Sequence, residues 1–457
     1  MRSTEKIGKV KIFFESYYDY ITIAVLYAVL HFFMHTDYWD DLKNANTLVD
    51  YHYNIFRFAI DAFNSWTSRI FIQPVLVFFS GIPNYVWKIV DVIMIVIIYH
   101  FMLQMVNIIT GKSRKNNKIW CCTFFMCFPY SLMATAGWIA TTVTYTWTFA
   151  AYFYCLYMLL RGSQGKRCTS IQYILYGVTV FWVGNFNVTS ISLLLLLSGF
   201  YFIYNKNKSA TVLYIEGMLL TIGNVILLIA SPGNRNRNLR DAEFHNTSSL
   251  MDLSFGGKLR MGINSTFYHF ASVPNVVLFI TCLILAVGVW KKSNSVLKRI
   301  IGLIPLVLDV FWTCYMFVAY IIKNGVLTYT YPDGDFITCP KTEQYLVMLS
   351  AIIMVACICY LLAFLTDFSK ASFVLVSMIL IFGLLPEIAL GFTTTVSASI
   401  LRMSAFLYMA FMFCDYVIVE YCGLLKTRFW RNAMYLLGGI GMVLNVMQII
   451  RHILVYG

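Results

Sequence analysis

Three carboxylates stand close together in the stretch Asp37-Tyr-Trp-Asp40-Asp41, and Trp66-Thr-Ser-Arg69 follows a short way on. A carboxylate so placed can take the proton of an attacking hydroxyl. A second stretch, Ser231-Pro-Gly-Asn234-Arg235-Asn-Arg237-Asn-Leu-Arg240, sets arginines at short spacing behind a Pro-Gly turn. Guanidinium groups offer forked donors to phosphate or carboxylate oxygens, and they stabilise a phosphate as it departs. Arg402 adds another inside an apolar segment, where an arginine is costly and usually faces a polar cavity or an anion. These residue types suit transfer from a lipid-phosphate donor to a hydroxyl acceptor.

The elements that must position them are membrane helices. Hydrophobic residues make up 60% of the chain, aromatics 17% and charged residues only 12%, with a mean hydropathy of +0.71. That is too apolar for a soluble globular protein. Apolar runs of roughly 16 to 24 residues recur about thirteen times, and a spanning helix needs ~20. The spacing predicts an all-α integral membrane protein of about thirteen transmembrane helices, one domain over 1–457. Short basic connections alternate along it, such as Lys112 to Lys118, Arg161 to Arg167, Lys291 to Arg299 and Lys426 to Arg431. The positive-inside rule puts these in the cytoplasm with the N-terminus. The longer connections 35–83, 231–272 and 322–343 then face outward. The first is expected to carry two juxtamembrane helices: an amphipathic one over 51–64, and an apolar one from Ile70 that is too short to span and ends at Gly81 and Pro83. The 231–272 connection reads as a loop.

Around these sit further polar groups. Trp138, Tyr145 and Asn187, with neighbouring Thr and Asn, can line a cavity with hydroxyls, amides and indoles, as sugar-binding sites do, or can serve as glue between helices. Asp37, Trp66 and Asn234 join them as substrate-binding candidates. Glu387 is a possible partner for Arg402, and Asp91, Glu216 and Asp309 are membrane acids of structural or functional use. No metal constellation is readable. His31 and His35 have a zinc-compatible spacing but lack the following Glu, and the cysteines read as small core residues. The net charge of +13 is spread over separate loops, a topology signal with no basic stripe for nucleic acid. No cytoplasmic loop exceeds about 20 residues, too little for a nucleotide-binding fold.

These features resemble the GT-C superfamily of polyprenyl-phosphate-sugar-dependent glycosyltransferases: many spans, an acidic motif just after the first, and juxtamembrane helices in the first outer loop. Within it, Asp40-Asp41 followed by Trp66-x-Ser-Arg69, Trp138 with Tyr145 and Trp147, and Ser231-Pro-Gly-Asn234-Arg235 are similar to a bacterial membrane group with an (Ala/Ser)-Pro-Gly-Asn signature. The likeness runs from the N-terminus to about Arg402, and Ser68 stands where that group often has Gly. The resemblance implies a helical membrane bundle and a donor sugar on polyprenyl phosphate, undecaprenyl phosphate in a bacterium. A surface polysaccharide or teichoic-acid-like polymer would be the acceptor. Asp41, with Asp40 as its alternate, would be the general base, and Arg69, Arg235, Arg237 and Arg402 would bind the phosphate. No cofactor is implied beyond the donor, although a few superfamily members use a divalent cation at the acidic motif. The competing classes are a flippase for lipid-linked oligosaccharide, which would want inverted repeats, and a polysaccharide polymerase.

Overall fold

The computed structural model describes residues 2–110, 115–203, 207–244, 251–272, 276–324, 341–366 and 370–456. Among them every regular element is helical. Five segments are long and apolar enough to cross a membrane: Asn84–Ile109, Lys208–Ala230, Tyr345–Leu365, Arg402–Cys422 and Arg428–Arg451. Shorter apolar stretches, among them Val188–Tyr201 and Ile379–Phe392, pack between them. The longer helices of the first half are α1 (Arg2–Phe32), α5 (Asn84–Thr110), α8 (Trp147–Ser163), α9 (Ser170–Asn185), α10 (Asn187–Ile203) and α11 (Lys208–Ala230). The later ones run as α13 (Phe255–Ser272), α14 (Val276–Lys292), α15 (Val296–Asn324), α16 (Lys341–Leu365), α17 (Lys370–Ala389), α18 (Val396–Cys422) and α19 (Arg428–Tyr456).

Burial sorts these helices into a centre and a rim. The apolar window of α18 is 83% enclosed by the protein, against 28% for α11 and for α19. On α11 the side chains of Leu219, Ile226 and Ile229 point away from the protein, as do Val443, Met447 and Leu454 on α19. A water-soluble protein rarely leaves such contiguous apolar faces open, whereas lipid covers them without cost.

The first long connection holds three helices, not two: α2 (Trp39–Asp50), α3 (Ile55–Ser65) and α4 (Ile72–Gly81). The amphipathic helix is α3, opened by Asn54, whose side chain accepts from the Arg57 amide. It buries Phe58 and Ala62 and exposes Phe56 and Ile60. The extra helix, α2, begins at the acidic pair itself, so the carboxylates occupy its first turn, where the helix dipole favours negative charge. Its polar, weakly patterned sequence hides it. The 231–272 connection is also largely helical, as α12 (Pro232–Phe244) and α13. Pro232 does not open a loop; it starts a helix, a position where the missing N–H costs nothing. The expected 322–343 connection lies mostly outside the described residues.

Between α6 (Lys115–Met126) and α8 the chain is irregular. A 3₁₀ turn spans Tyr130–Ala134, a single helical turn, α7, spans Trp138–Thr141, and a π turn spans Thr142–Thr146. Asn445 of α19 satisfies the break. Its Oδ1 accepts from the Tyr130 amide at 2.9 Å, and its Nδ2 donates to the carbonyls of Met126 and Phe128 at 3.0 and 2.8 Å.

Candidate functional site

The two adjacent acids end in opposite environments. Asp41 is 2% exposed, and its carboxylate accepts from the backbone amides of Ile139 at 3.0 Å and Ala140 at 2.7 Å. It therefore caps α7. Gly137 makes this approach possible: it has φ +119, and a Cβ there would lie 2.5 Å from Asp41 Oδ1. Asp40 is exposed, with its own amide donating to the Ala136 carbonyl at 3.1 Å. Trp39 precedes the pair at φ +48, a left-handed backbone that costs a bulky residue about 1 to 3 kcal/mol. Such strain gathers at functional sites. With both Asp41 oxygens on amides, the pair offers one open carboxylate. Among the described residues no group of three His, Cys, Asp or Glu could by itself hold a metal; a cation met by one carboxylate would need donor phosphate and water for its other ligands.

Burial pushes Asp41 up to about 7, while the Ala140 and Ile139 amides pull the other way. A raised carboxyl binds its proton more tightly folded than unfolded. Its contribution to stability is complete below the ordinary carboxylate range and is lost as pH rises through about 7. We expect the melting temperature to fall between pH 5 and pH 8, by an amount corresponding to at most about 3 kcal/mol. Thermal melts of Asp41→Asn should show that slope flattened.

The Ser-Pro-Gly-Asn run is a dock for the segment that ends in Arg69. Ser231 Oγ donates to the Phe63 carbonyl at 2.8 Å. Asn234 Oδ1 accepts from the Ser68 amide at 3.1 Å, and its Nδ2 donates to the Leu228 carbonyl at 2.9 Å. Gly233 lies flat on that backbone, where a Cβ would come 2.5 Å from the Trp66 nitrogen and 2.7 Å from the Phe63 oxygen. From the other side Asn185 accepts from the amides of Phe71 and Ile72 at 3.0 and 3.3 Å, and donates to the Ser68 carbonyl at 3.3 Å. Backbone atoms cannot yield as a side-chain tip does. Gly233→Ala should therefore cost about 1 to 3 kcal/mol and undock α12 from α3, seen as a lower melting temperature and faster proteolysis near Trp66.

This docking brings the cations together. The Arg69 guanidinium lies 5.2 Å from the Phe186 ring centroid, and its enclosed Nε has no hydrogen-bond partner. Burial lowers its basicity to about 9, with nearby Arg237 and then Arg402 adding to the effect while Tyr145 and Asp40 oppose it. It remains cationic at neutral pH. Arg237 lies 5.1 Å over the Trp66 ring and donates through Nε to Asp241 at 3.2 Å. Lys43 approaches the same indole at 5.4 Å. Arg402 donates to Ser399 Oγ at 3.2 Å, and its Nε is enclosed without a partner. The Thr394 hydroxyl joins the turn before α18 to the Asn238 carbonyl of α12 at 3.2 Å, which ties the helices of Arg402 and Arg237 together. No acidic side chain among the described residues forms an ion pair with Arg69 or Arg402. Glu387, the possible partner of Arg402, is wholly buried and forms no ion pair with it.

Searches against protein-family models, curated proteins and solved structures return no match. The site rests on its own geometry.

That geometry redistributes the candidates. Asp40, Arg69, Arg237, Arg402 and Tyr145 share one electrostatic neighbourhood, and Trp66 supports it as a ring beneath Arg237. Arg235, two residues from Arg237 on a helix, points to the exposed side. Asp37 is exposed in the turn before α2. Asn234 acts on the backbone through its dock, and Trp138, 0% exposed and stacked on Tyr130 at 6.0 Å, belongs to the core. Asn187 opens α10, and its side chain lies outside the described set. The sequence brings Gly137, Gly233 and Asn185 forward only as members of polar runs; their roles as close-approach and gripping positions, and the ring of Phe186 under Arg69, come from the fold. The Gly-Asn-Phe run at 184–186 offered a signal, as a polar break between two apolar segments.

Proposed function

We propose that the chain is a membrane glycosyltransferase. It moves a sugar from a polyprenyl-phosphate donor to a hydroxyl of a surface glycan on the extracytoplasmic face. The observation that carries the reading is the buried Arg69 guanidinium, which feels the charges of Arg237 and Arg402 and the opposite charge of the exposed Asp40, in a helical protein whose outer faces suit lipid. Two enclosed guanidinium Nε atoms without acceptors leave donors for an anion, and the nearby membrane offers phosphate on a lipid.

On this reading Asp40 is the general base, with the α7-capping Asp41 as its support. The acceptor hydroxyl gives its proton to Asp40 as its oxygen bonds to the anomeric carbon. The bond from that carbon to the phosphate oxygen breaks, and the arginines stabilise the charge that collects on the departing phosphate. Forked arginine donors suit phosphate better than lysine would. Five described helices are long and apolar enough to span, which supports a multi-pass arrangement; about thirteen spans with a cytoplasmic N-terminus is the proposal drawn from the hydropathy runs and basic loops. A cysteine placed at Asn44 should then react with an impermeant reagent from outside and one at Ser293 should not. The reverse pattern would put the site on the wrong face for this donor.

Mass spectrometry of surface glycans from cells with and without the gene tests the function. The reading requires one hexose or N-acetylhexosamine substituent to disappear, and unchanged glycans would refute it.

A further inference from the structure

Beneath the site lies a buried polar cluster that the transfer step does not use. Asp91, on α5 and 0% exposed, accepts the Trp147 indole N–H on Oδ1 at 2.8 Å. Its Oδ2 meets His31 Nε2 at 2.9 Å and the Tyr130 hydroxyl. His31, 1% exposed, sets its other ring nitrogen 2.7 Å from the Tyr27 carbonyl. A carbonyl only accepts, so Nδ1 carries a hydrogen. His31 Nε2 faces both Asp91 Oδ2 and, at 3.3 Å, the Tyr130 hydroxyl. Both carboxyl oxygens and both ring nitrogens are thus satisfied, which allows such a group to stand in an apolar interior.

The donors to Asp91 come from three separate elements, and two of them lead straight into the site. Tyr130 stacks on Trp138 with the rings 16° apart, and the two residues after Trp138 supply the amides that hold Asp41. Trp147 closes the π turn Thr142–Thr146, which carries Tyr145 to Arg69. The other end of that turn is tied to the same helix. Trp87, one helical turn before Asp91, donates from Nε1 to Thr142 Oγ1 at 2.9 Å. A π turn is an uncommon insertion that arises mostly at functional sites, and here α5 grips it at both ends.

We propose that Asp91, with His31, is a positioning residue for the site. It sets the α7 amides under the acidic pair and holds the π turn in register with Arg69. The role in turnover rests on the transferase reading, whereas the role in fixing residues 137–147 does not.

The test uses the full chain in lipid nanodiscs as wild type, Asp91→Asn and Trp87→Phe. Amide hydrogen exchange, polyprenyl phosphate binding, and kcat and KM for the donor are compared. For Asp91→Asn we expect exchange across 137–147 to quicken about ten-fold or more, with 208–230 unchanged and lipid binding within about three-fold of wild type. Its kcat should fall about 100-fold with little change in KM, as expected from misplacement of about 1 Å. Trp87→Phe should loosen the π turn alone and lower kcat less. Unaltered exchange at 137–147 in Asp91→Asn would overturn the proposal, as would a proportional loss of binding and kcat with loosening throughout. If Asp91→Asn fails to fold, Trp87→Phe decides: local loosening supports the proposal and none overturns it. If wild type binds the lipid yet transfers nothing, the transferase reading fails and the exchange comparison alone judges the positioning role.

Discussion

Asp40→Asn is expected to lower turnover by about 10²- to 10⁴-fold, the usual contribution of a general base, while the melting temperature and donor binding stay near wild type. Asp40 is exposed, and among the described residues its backbone amide, not its carboxylate, ties it to the Ala136 carbonyl. The amide nitrogen of the new side chain cannot accept a proton, yet it fills the same space. Asp41→Asn should behave differently. It replaces one acceptor oxygen with a donor facing the N–H of Ile139 or Ala140, and losing such a cap costs about 0.5 to 2 kcal/mol. Activity there should fall together with stability. Steady-state kinetics alongside melts separate the two. A full-rate Asp40→Asn, or an Asp41→Asn that is stable but inert, would reverse the assignment of the base.

Arg69→Gln and Arg402→Gln should each lower kcat/KM by about 10²- to 10³-fold, as expected for removal of a donor to developing charge. Arg235→Gln should stay within about three-fold, because a single exposed charge away from the site contributes little. The contrast matters because Arg235 and Arg237 look alike in the chain. Once Pro232–Phe244 is a helix, two residues rotate a side chain to nearly the opposite face, and Arg237 is the one carried over Trp66. Equal losses at Arg235 and Arg69 would indicate a diffuse basic surface in place of a built anion site.

Much of the architecture could be read from the chain because hydrophobic runs and caps are local signals. The amphipathic α3 follows from its apolar spacing and Asn54, and the break at Gly81 from the Gly-Pro spacing behind it. What escaped was set by partners remote in sequence. Gly233 looks like half of a turn until the backbone of Phe63 and Trp66 is laid against it. Helix α12 has no apolar stripe to announce it; it is held by docking, through Ser231 and Asn234. Nothing in Asp40-Asp41 says which acid turns inward. That choice follows from the left-handed Trp39 and the space left by Gly137. Helices α9 and α10, with 16 and 17 residues, show why apolar length alone marks fewer segments as spanning than hydropathy runs suggest.

The central claim is that this site transfers a sugar from a lipid phosphate, and reconstitution tests it most directly. Purified chain in liposomes containing a polyprenyl-phosphate sugar and a hydroxyl acceptor, without nucleotide sugar or ion gradient, should form glycosylated product. Asp40→Asn and Arg69→Gln should abolish that product while the lipid donor still partitions normally. Donor movement across the bilayer with no glycosylated product, blocked by Asp309→Asn and indifferent to Asp40→Asn, would contradict the account and make the protein a lipid flippase.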